Sequence, residues 1–345
     1  MPAKLYTRDG WLDAAKLFRM SSVLNIVIGP RNAGKTYSIL RRLLEEGKQF
    51  LFVRSTEKAA LTVMGGDEIN PFVPINRDTG SDVKASKVKG IKGLIRLMDG
   101  ETPVGYVTAL SQIATVRGFS MPDVDVLVYD EFVPHPGEVI PRQSEQCRQL
   151  LDLAGTVNRT RELQGREPLK AWLMGNSDNL GCPVLLDLNF IQPILSMKEK
   201  GENYRILPNR NTALFLLDDS PIAEKLKTVS AWAAIMQGND YARMMYDNDF
   251  VYDDLSDCRP ASLNQYAPEA VIPGLMIMRH NSGNGFYIRA YTGSAAAVPI
   301  YTHTDRDRAR AQRDYHYLYP MYLDHELIFD HYTSKQVFLH YMDFD

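Results

Sequence analysis

The residues best suited to chemistry lie in one short run, Gly29-Pro30-Arg31-Asn32-Ala33-Gly34-Lys35-Thr36. A glycine, four residues, then Gly-Lys-Thr is the spacing of a phosphate-binding loop. Gly29 and Gly34 allow backbone N–H groups to turn inward onto phosphate oxygens. Lys35 is expected at the β- and γ-phosphates, and the Thr36 hydroxyl at Mg²⁺. The ordinary alternative is a glycine-rich turn with a stray lysine, and the flanks argue against it. Residues Val23–Ile28 are mostly apolar and β-branched and read as a buried parallel strand. Residues Ser38–Leu44 carry helix formers and an apolar face, so a helix aims its positive dipole end at the loop.

A second set of polar residues completes a reaction centre. Val124–Phe132 is an apolar strand ending in Asp130 and Glu131. Asp130 suits a metal-holding role through water. Glu131 can orient or deprotonate an attacking water, which favours an ATP hydrolase over a phosphate-transferring kinase. Strand ends often carry acids, so this motif gains its force from the phosphate loop upstream. Residues Ala171–Gly175 form another apolar strand, tipped by Asn176. Asn176 is placed to hydrogen-bond the γ-phosphate or the water, although asparagine is also an ordinary turn former. Arg54 ends the strand read over 49–54, where open α/β sheets place their ligand crevice. Arg117 lies in the loop after the strand Val104–Leu110, and Arg159 and Arg161 in a basic turn after a helix that starts at Gln146.

The elements that position these groups alternate strand and helix, which predicts a parallel α/β sheet. The chain has 345 residues, 45% hydrophobic and 23% charged, enough for two domains or one large domain with an appendage. No apolar run approaches the roughly 18 residues of a membrane span, and the N-terminus lacks the apolar core of a signal peptide. Cys147, Cys182 and Cys258 lie far apart without metal-ligand spacing, so a reducing cytosol is the simplest home. A net charge of −3 excludes an overall basic coat, and a nucleic-acid partner would meet local patches. Lys84, Lys87, Lys89 and Lys92 read as one lysine face of a hairpin, which is equally a solvated strand face. An N-terminal helical arm has Trp11, Leu12, Ala15, Leu17 and Phe18 able to share a face. Further on, Ile222–Gln237 reads as one amphipathic helix, Tyr241–Tyr246 as the start of a second. Leu275–Met278 and Gly285–Tyr291 form a hairpin around the turn 281–284, Val298–Thr302 a third strand, and Asp305–Asp314 a charged helix.

The strings VLNIVIGPRNAGKTYS, VDVLVYDEF, LLDLAGTVNRTRE, the strand ending in GNS, and GNDYARMMYDNDF resemble the DNA-packaging (encapsidation) ATPases of small Picovirinae-type podoviruses. The similarity runs from about residue 20 to about residue 255 and more faintly beyond. It implies an α/β chain: a P-loop ASCE-type ATPase domain (1–205), a small helical linker (206–258) and an RNase H-like α+β domain (259–345). It further implies a homomeric ring, usually of five subunits, docked on the procapsid portal through packaging RNA in the host cytoplasm. That ring drives double-stranded viral DNA into the procapsid with ATP and Mg²⁺. Residue by residue, Lys35 and Thr36 match the phosphate-loop pair, and Asp130 and Glu131 the metal and catalytic acids. Arg159 matches the trans-acting arginine finger, with Arg161 two residues on as the rival, and Arg117 an interface basic residue. Relatives carry basic residues after the acidic strand, where this chain has Pro134, His135 and Pro136. That shifts the expected DNA grip to the lysines at 84–92. The strand Leu275–Met278, read as the first of the last domain, carries no acid, so that domain is expected to be a vestigial nuclease without activity. The alternatives are a RecA-like helicase, a membrane-anchored phage assembly factor, and a P-loop kinase or GTPase. A GTPase would want an Asn/Thr-Lys-x-Asp motif, which is not found.

Overall fold

The computed structural model describes residues 5–65, 70–119, 121–135, 145–250, 253–293 and 297–344. Pro136 therefore lies outside the described residues. The chain divides into two compact units, Met1–Leu188 with Pro193–Tyr252, and Asp253–Asp345 with Asn189–Gln192.

Nine strands of the first unit make one sheet. They are β1 (Leu24–Ile28), β2 (Phe50–Arg54), β3 (Val83–Lys87), β4 (Leu94–Asp99), β5 (Thr102–Ala109), β6 (Val126–Asp130), β7 (Lys170–Gly175), β8 (Tyr204–Leu207) and β9 (Thr212–Leu216). Their order is β3-β4-β5-β2-β6-β7-β1-β9-β8. The six inner strands, β5 to β9 in that order, run parallel, while β3, β4 and β8 are antiparallel additions at the two edges. Parallel strands are covered on both faces, which is why β2, β6 and β7 are near-continuous apolar runs. Trp172 of β7 shows the packing: its ring stacks on Phe18 of the N-terminal arm at 4.8 Å and on Phe215 of β9 at 6.0 Å. At Gly105 of β5, with φ +152°, an added Cβ would stand 2.0 Å from the Phe50 carbonyl oxygen, so only glycine lets β5 and β2 pair there.

The arm is shorter than one continuous helix. Its helix spans Ala14–Arg19; Leu12 and Leu17 are buried, whereas Trp11 is 46% exposed and precedes the helix. The main sheet also continues past residue 205, since β9 pairs directly with β1. Beyond it, the expected single helix Ile222–Gln237 is two, Pro221–Val229 and Ala231–Ile235, with Ser230 extended between them. β-branched Thr228 and Val229 followed by serine weaken the helical ladder at that point. A third helix, Asp240–Asp247, follows.

The second unit holds β10 (Tyr266–Ile272), β11 (Leu275–His280) and β12 (Phe286–Ala290) as an antiparallel meander, with β13 (Leu327–Phe329) parallel to β12. The strand expected first, Leu275–Met278, is thus second. The first, β10, does carry an acid, Glu269, which pairs with Arg279 at 3.0 Å. Pro268 and a register shift at Pro268/Ala270 break the alternation that would have revealed β10. Residues 298–302 are no strand; Ile300 makes only an isolated bridge to Val271. Helices Asp305–Asp314 and Tyr332–Met342 belong to the same unit. On the latter, Lys335 has a side chain only 2% exposed. Its Nζ donates to the Asp254 backbone oxygen (3.0 Å), Asp254 Oδ2 (2.9 Å) and Asp257 Oδ2 (3.3 Å). Tyr332 donates its hydroxyl to Asp253. Among the described residues no helix is long and apolar enough to cross a membrane.

Candidate nucleotide site

The C-terminal ends of β1, β7 and β6 meet at one edge of the sheet, with β7 lying between the loop-bearing strand and the acidic strand. β1 runs into the loop 29–34, where Gly34 (φ +81°) precedes the helix Lys35–Glu45. That helix has no side-chain cap and no acid in its first turn, which suits an anion at its amino end. Lys35 Nζ donates to the carbonyls of Gly29 and Pro30, both at 2.8 Å, and to Asn176 Oδ1 at 3.0 Å. Burial lowers its pKa to about 8, against the opposing pull of Asp130, Asp178 and Glu131. The Thr36 hydroxyl donates to Asp130 Oδ1 at 2.8 Å. These two oxygens are hard donors of the kind Mg²⁺ prefers.

Arg54 spans both acids. Its Nη1 donates to Asp130 Oδ2 at 3.0 Å and its Nη2 to Glu131 Oε2. Burial raises the Asp130 pKa; Arg54 is the largest influence lowering it, and Glu131 pushes it up again. Glu131 has φ +54°, a left-handed conformation that strains a β-carbon-bearing residue by about 1–2 kcal/mol. The left-handed turn falls directly after Asp130, and the two carboxylates differ in burial although one guanidinium holds both. Glu131 is the exposed one, at 61% of its side chain, against 7% for Asp130. Asp130 and Glu131, with Lys35, Thr36 and Asn176, line a cleft of about 720 Å³.

Of the remaining loop residues, Arg31, Asn32 and Ala33 also line this cleft. Arg31 Nη2 lies 3.2 Å from His135 Nδ1, which faces Asp178 Oδ1 at 3.1 Å. His135 therefore belongs to the cleft wall. Arg117 and Arg159 are not among its lining residues. Arg159 ends the helix Gln146–Asn158, is exposed, and donates to the Arg117 carbonyl at 3.2 Å, while Arg117 pairs with Asp152. Arg161 is 5% exposed and holds Val124 O (2.6 Å), Glu167 O (3.1 Å) and Asp125 Oδ1 (2.6 Å). That set of bonds makes Arg161 a structural residue and leaves Arg159 as the arginine able to reach outward. The four lysines are all exposed, but they do not share one face. Lys84 and Lys87 are three apart on β3 and point to opposite sides; Lys89 and Lys92 lie in the turn before β4. Lys84 pairs with Asp82 at 2.6 Å. Lysines on an exposed edge strand also discourage edge-to-edge pairing.

Asp178 and the double contact of Arg54 were not visible in sequence. Asp178 follows Asn176 by two residues, which is the only local signal it offers. Arg54 had the right location, at a strand's C-terminal end, but its partners are 76 and 77 positions away.

A phosphate loop, a polar strand tip and an acidic strand end, side by side on three parallel strands, define a P-loop NTPase fold of the additional-strand (ASCE) class. The chain belongs to the podovirus DNA encapsidation protein (Gp16) family, whose profile it matches over residues 8–263. It is 24% identical over 244 residues to the DNA packaging protein of Bacillus phage phi29, covering 69% of this chain and 65% of that one. To the DNA packaging protein of Bacillus phage B103 it is 26% identical over 237 residues, covering 67% and 65%. The matched stretch thus spans about 65% of these relatives' length. Among solved structures it is similar to the Phi-28 gp11 DNA packaging motor, at TM-score 0.67 and 13% identity over 97% of this chain and 98% of that one. It is also similar to the bacteriophage Phi-29 viral genome packaging motor assembly, at TM-score 0.65 and 19% identity over 97% and 99%. These two likenesses extend the shared fold to nearly the whole chain.

Proposed function

We propose that the protein is an ATP hydrolase that drives double-stranded viral DNA into a preformed procapsid. The observation that carries this reading is the convergence of Lys35, Thr36, Asp130, Glu131 and Asn176 on one cleft, in a chain of the encapsidation family. Lys35 exchanges its loop carbonyls for the β- and γ-phosphates, and the loop amides bind the same oxygens. Thr36 and Asp130 are the residues that would hold Mg²⁺, which neutralises phosphate charge. Glu131 orients and deprotonates the attacking water, with Asn176 beside it. Arg54 holds Glu131 before turnover and is the residue through which that carboxylate is released. Arg159 stabilises transition-state charge on a neighbouring subunit's ATP, with Arg117 at the same interface. The subunits form a ring of five on the procapsid portal and packaging RNA, in the host cytoplasm. The helices between Pro221 and Asp247 serve as the linker, and the four-stranded unit is the RNase H-like module without nuclease activity. The lysines at 84–92 remain the candidates for gripping DNA.

The test compares phosphate release by the full chain in the presence of empty procapsids plus duplex DNA, single strands, or neither. Stimulation by procapsids plus duplex is expected, and Glu131→Gln should bind ATP yet hydrolyse it very slowly. Stimulation by single strands alone would favour a helicase. Near-normal turnover in Glu131→Gln would remove that residue from catalysis.

A further inference from the structure

The phosphate cleft is not the only cavity beside the loop. A second, of about 710 Å³, adjoins it and shares two residues with it, Gly34 and Tyr37. The order of chemistry along the chain gives this sharing a meaning. Lys35 and Thr36 face the terminal phosphates and their metal. The next residue, Tyr37, and the glycine before them stand where the other end of a nucleotide must leave the loop.

Trp11 stands in this second cavity, beside the loop. It is 46% exposed although its neighbour Leu12 is buried, so a large ring has been left out of the core. The ring lies against the phosphate loop: a Cβ on Gly34 would come within 3.2 Å of its Cε3. Its backbone is held in place on both sides. Thr7 N donates to Trp11 O at 2.7 Å, Trp11 N to Thr7 Oγ1 at 3.2 Å, and Leu12 N to Ala33 O at 3.4 Å. The last bond ties the arm directly to the phosphate loop. Tyr37 is fixed in turn, its hydroxyl donating to Asp78 Oδ2 at 2.9 Å. Thr7 and Asp9 line the same cavity and supply acceptors for an exocyclic amino group.

We propose that this second cavity is the base subsite of the nucleotide site, and that Trp11 stacks on the purine of the bound nucleoside triphosphate. The proposal rests on the ATPase reading and adds to it the residue that distinguishes a nucleotide from a bare phosphate chain. Stacking on an aromatic face suits any purine, and the N-terminal arm becomes part of the site instead of a cover for the domain's edge.

The experiment measures binding of Mg·ATP and of inorganic Mg·tripolyphosphate to the full chain by calorimetry. Trp11→Ala should weaken ATP about tenfold or more, the scale of one base–aromatic stack, and leave tripolyphosphate within about twofold. Trp11→Phe should recover most of the ATP affinity. Because Trp11 is half exposed, its truncation opens no core cavity, and a thermal melt checks the fold. Unchanged ATP affinity in Trp11→Ala overturns the subsite alone, as does an equal loss for both probes, which would make Trp11 a prop for the loop. A wild-type chain that binds neither probe overturns the ATPase reading and the subsite together.

Discussion

Arg54 is the residue whose removal should tell most about how the two acids are held. Its side chain is 16% exposed, that of Asp130 7%, and the two charged groups meet at 3.0 Å. Removing one partner of a fully buried ion pair costs about 3–5 kcal/mol, because the other charge is stranded. Asp130 keeps the Thr36 hydroxyl and the nearby Lys35 ammonium, so for Arg54→Ala we expect about 2–3 kcal/mol at pH 7. With Asp130→Asn in the background no charge is stranded, and the same truncation should cost less. Urea unfolding of the four proteins should therefore give a coupling energy of about 1–2 kcal/mol. The pH dependence has a definite sign. Asp130 already has a raised pKa from burial, and Arg54 is the main influence holding it down. Without Arg54 that pKa climbs further. The folded state then binds a proton more readily than the unfolded one, so the penalty for the buried charge is present above the folded pKa and is relieved below it. The deficit of Arg54→Ala should accordingly narrow as the pH is lowered from 7. An equal cost in both backgrounds, or a deficit unchanged by acid, would refute the idea that Arg54 compensates Asp130.

Four further outcomes are expected. With Lys35 near 8 in the free protein, phosphate binding should restore its full charge and take up about half a proton at pH 8, but only about a tenth at pH 7; calorimetry in buffers of different ionisation heat reads this, and no uptake at pH 8 would contradict it. Gly105→Ala should destabilise the first unit by at least about 3 kcal/mol, since its Cβ would meet the Phe50 carbonyl; a melting temperature within a degree of wild type would show that the β2–β5 pairing yields easily. Arg161→Ala should lower stability by about 2–3 kcal/mol through its lost carbonyl and carboxylate bonds, whereas Arg159→Ala should melt like wild type and lose turnover. Mixing Arg159→Ala with Lys35→Ala subunits should restore hydrolysis if the finger acts in trans; mixed rings no more active than the sum of the two would place Arg159 elsewhere.

What could be read from sequence was whatever chemistry is local. The phosphate loop, its helix, the acidic strand end and the tip at Asn176 each announce themselves within about ten residues, and the sheet assembles them as expected. Long-range partnerships left no such mark. Arg54 clamps acids from another strand, and the burial that sets Arg161 apart from Arg159 rests on Asp125 and the carbonyl of Val124, well upstream. Periodicity failed where a single residue interrupts it: Ser230 divides a helix whose apolar pattern continues across it, and Pro268 hides β10. Pro299 has no N–H to give a ladder, so an apolar run at 298–302 stops at one bridge. The four lysines read as a single face because counting charges along a sequence ignores the two-residue alternation of a strand.

The bonds of Lys335 have a mechanical consequence. Asp253, Asp254 and Asp257 open the long C-terminal segment of the second unit, and all three are fastened to one helix, through Tyr332 and through the buried ammonium. The chain reaching this unit is riveted before any strand of its sheet begins. Tension along the backbone is borne first by charge-assisted bonds on Tyr332–Met342, not by the ladder of β10. A sheet edge pulled along its own strand can unzip one bond at a time, whereas a rivet must shear as a group.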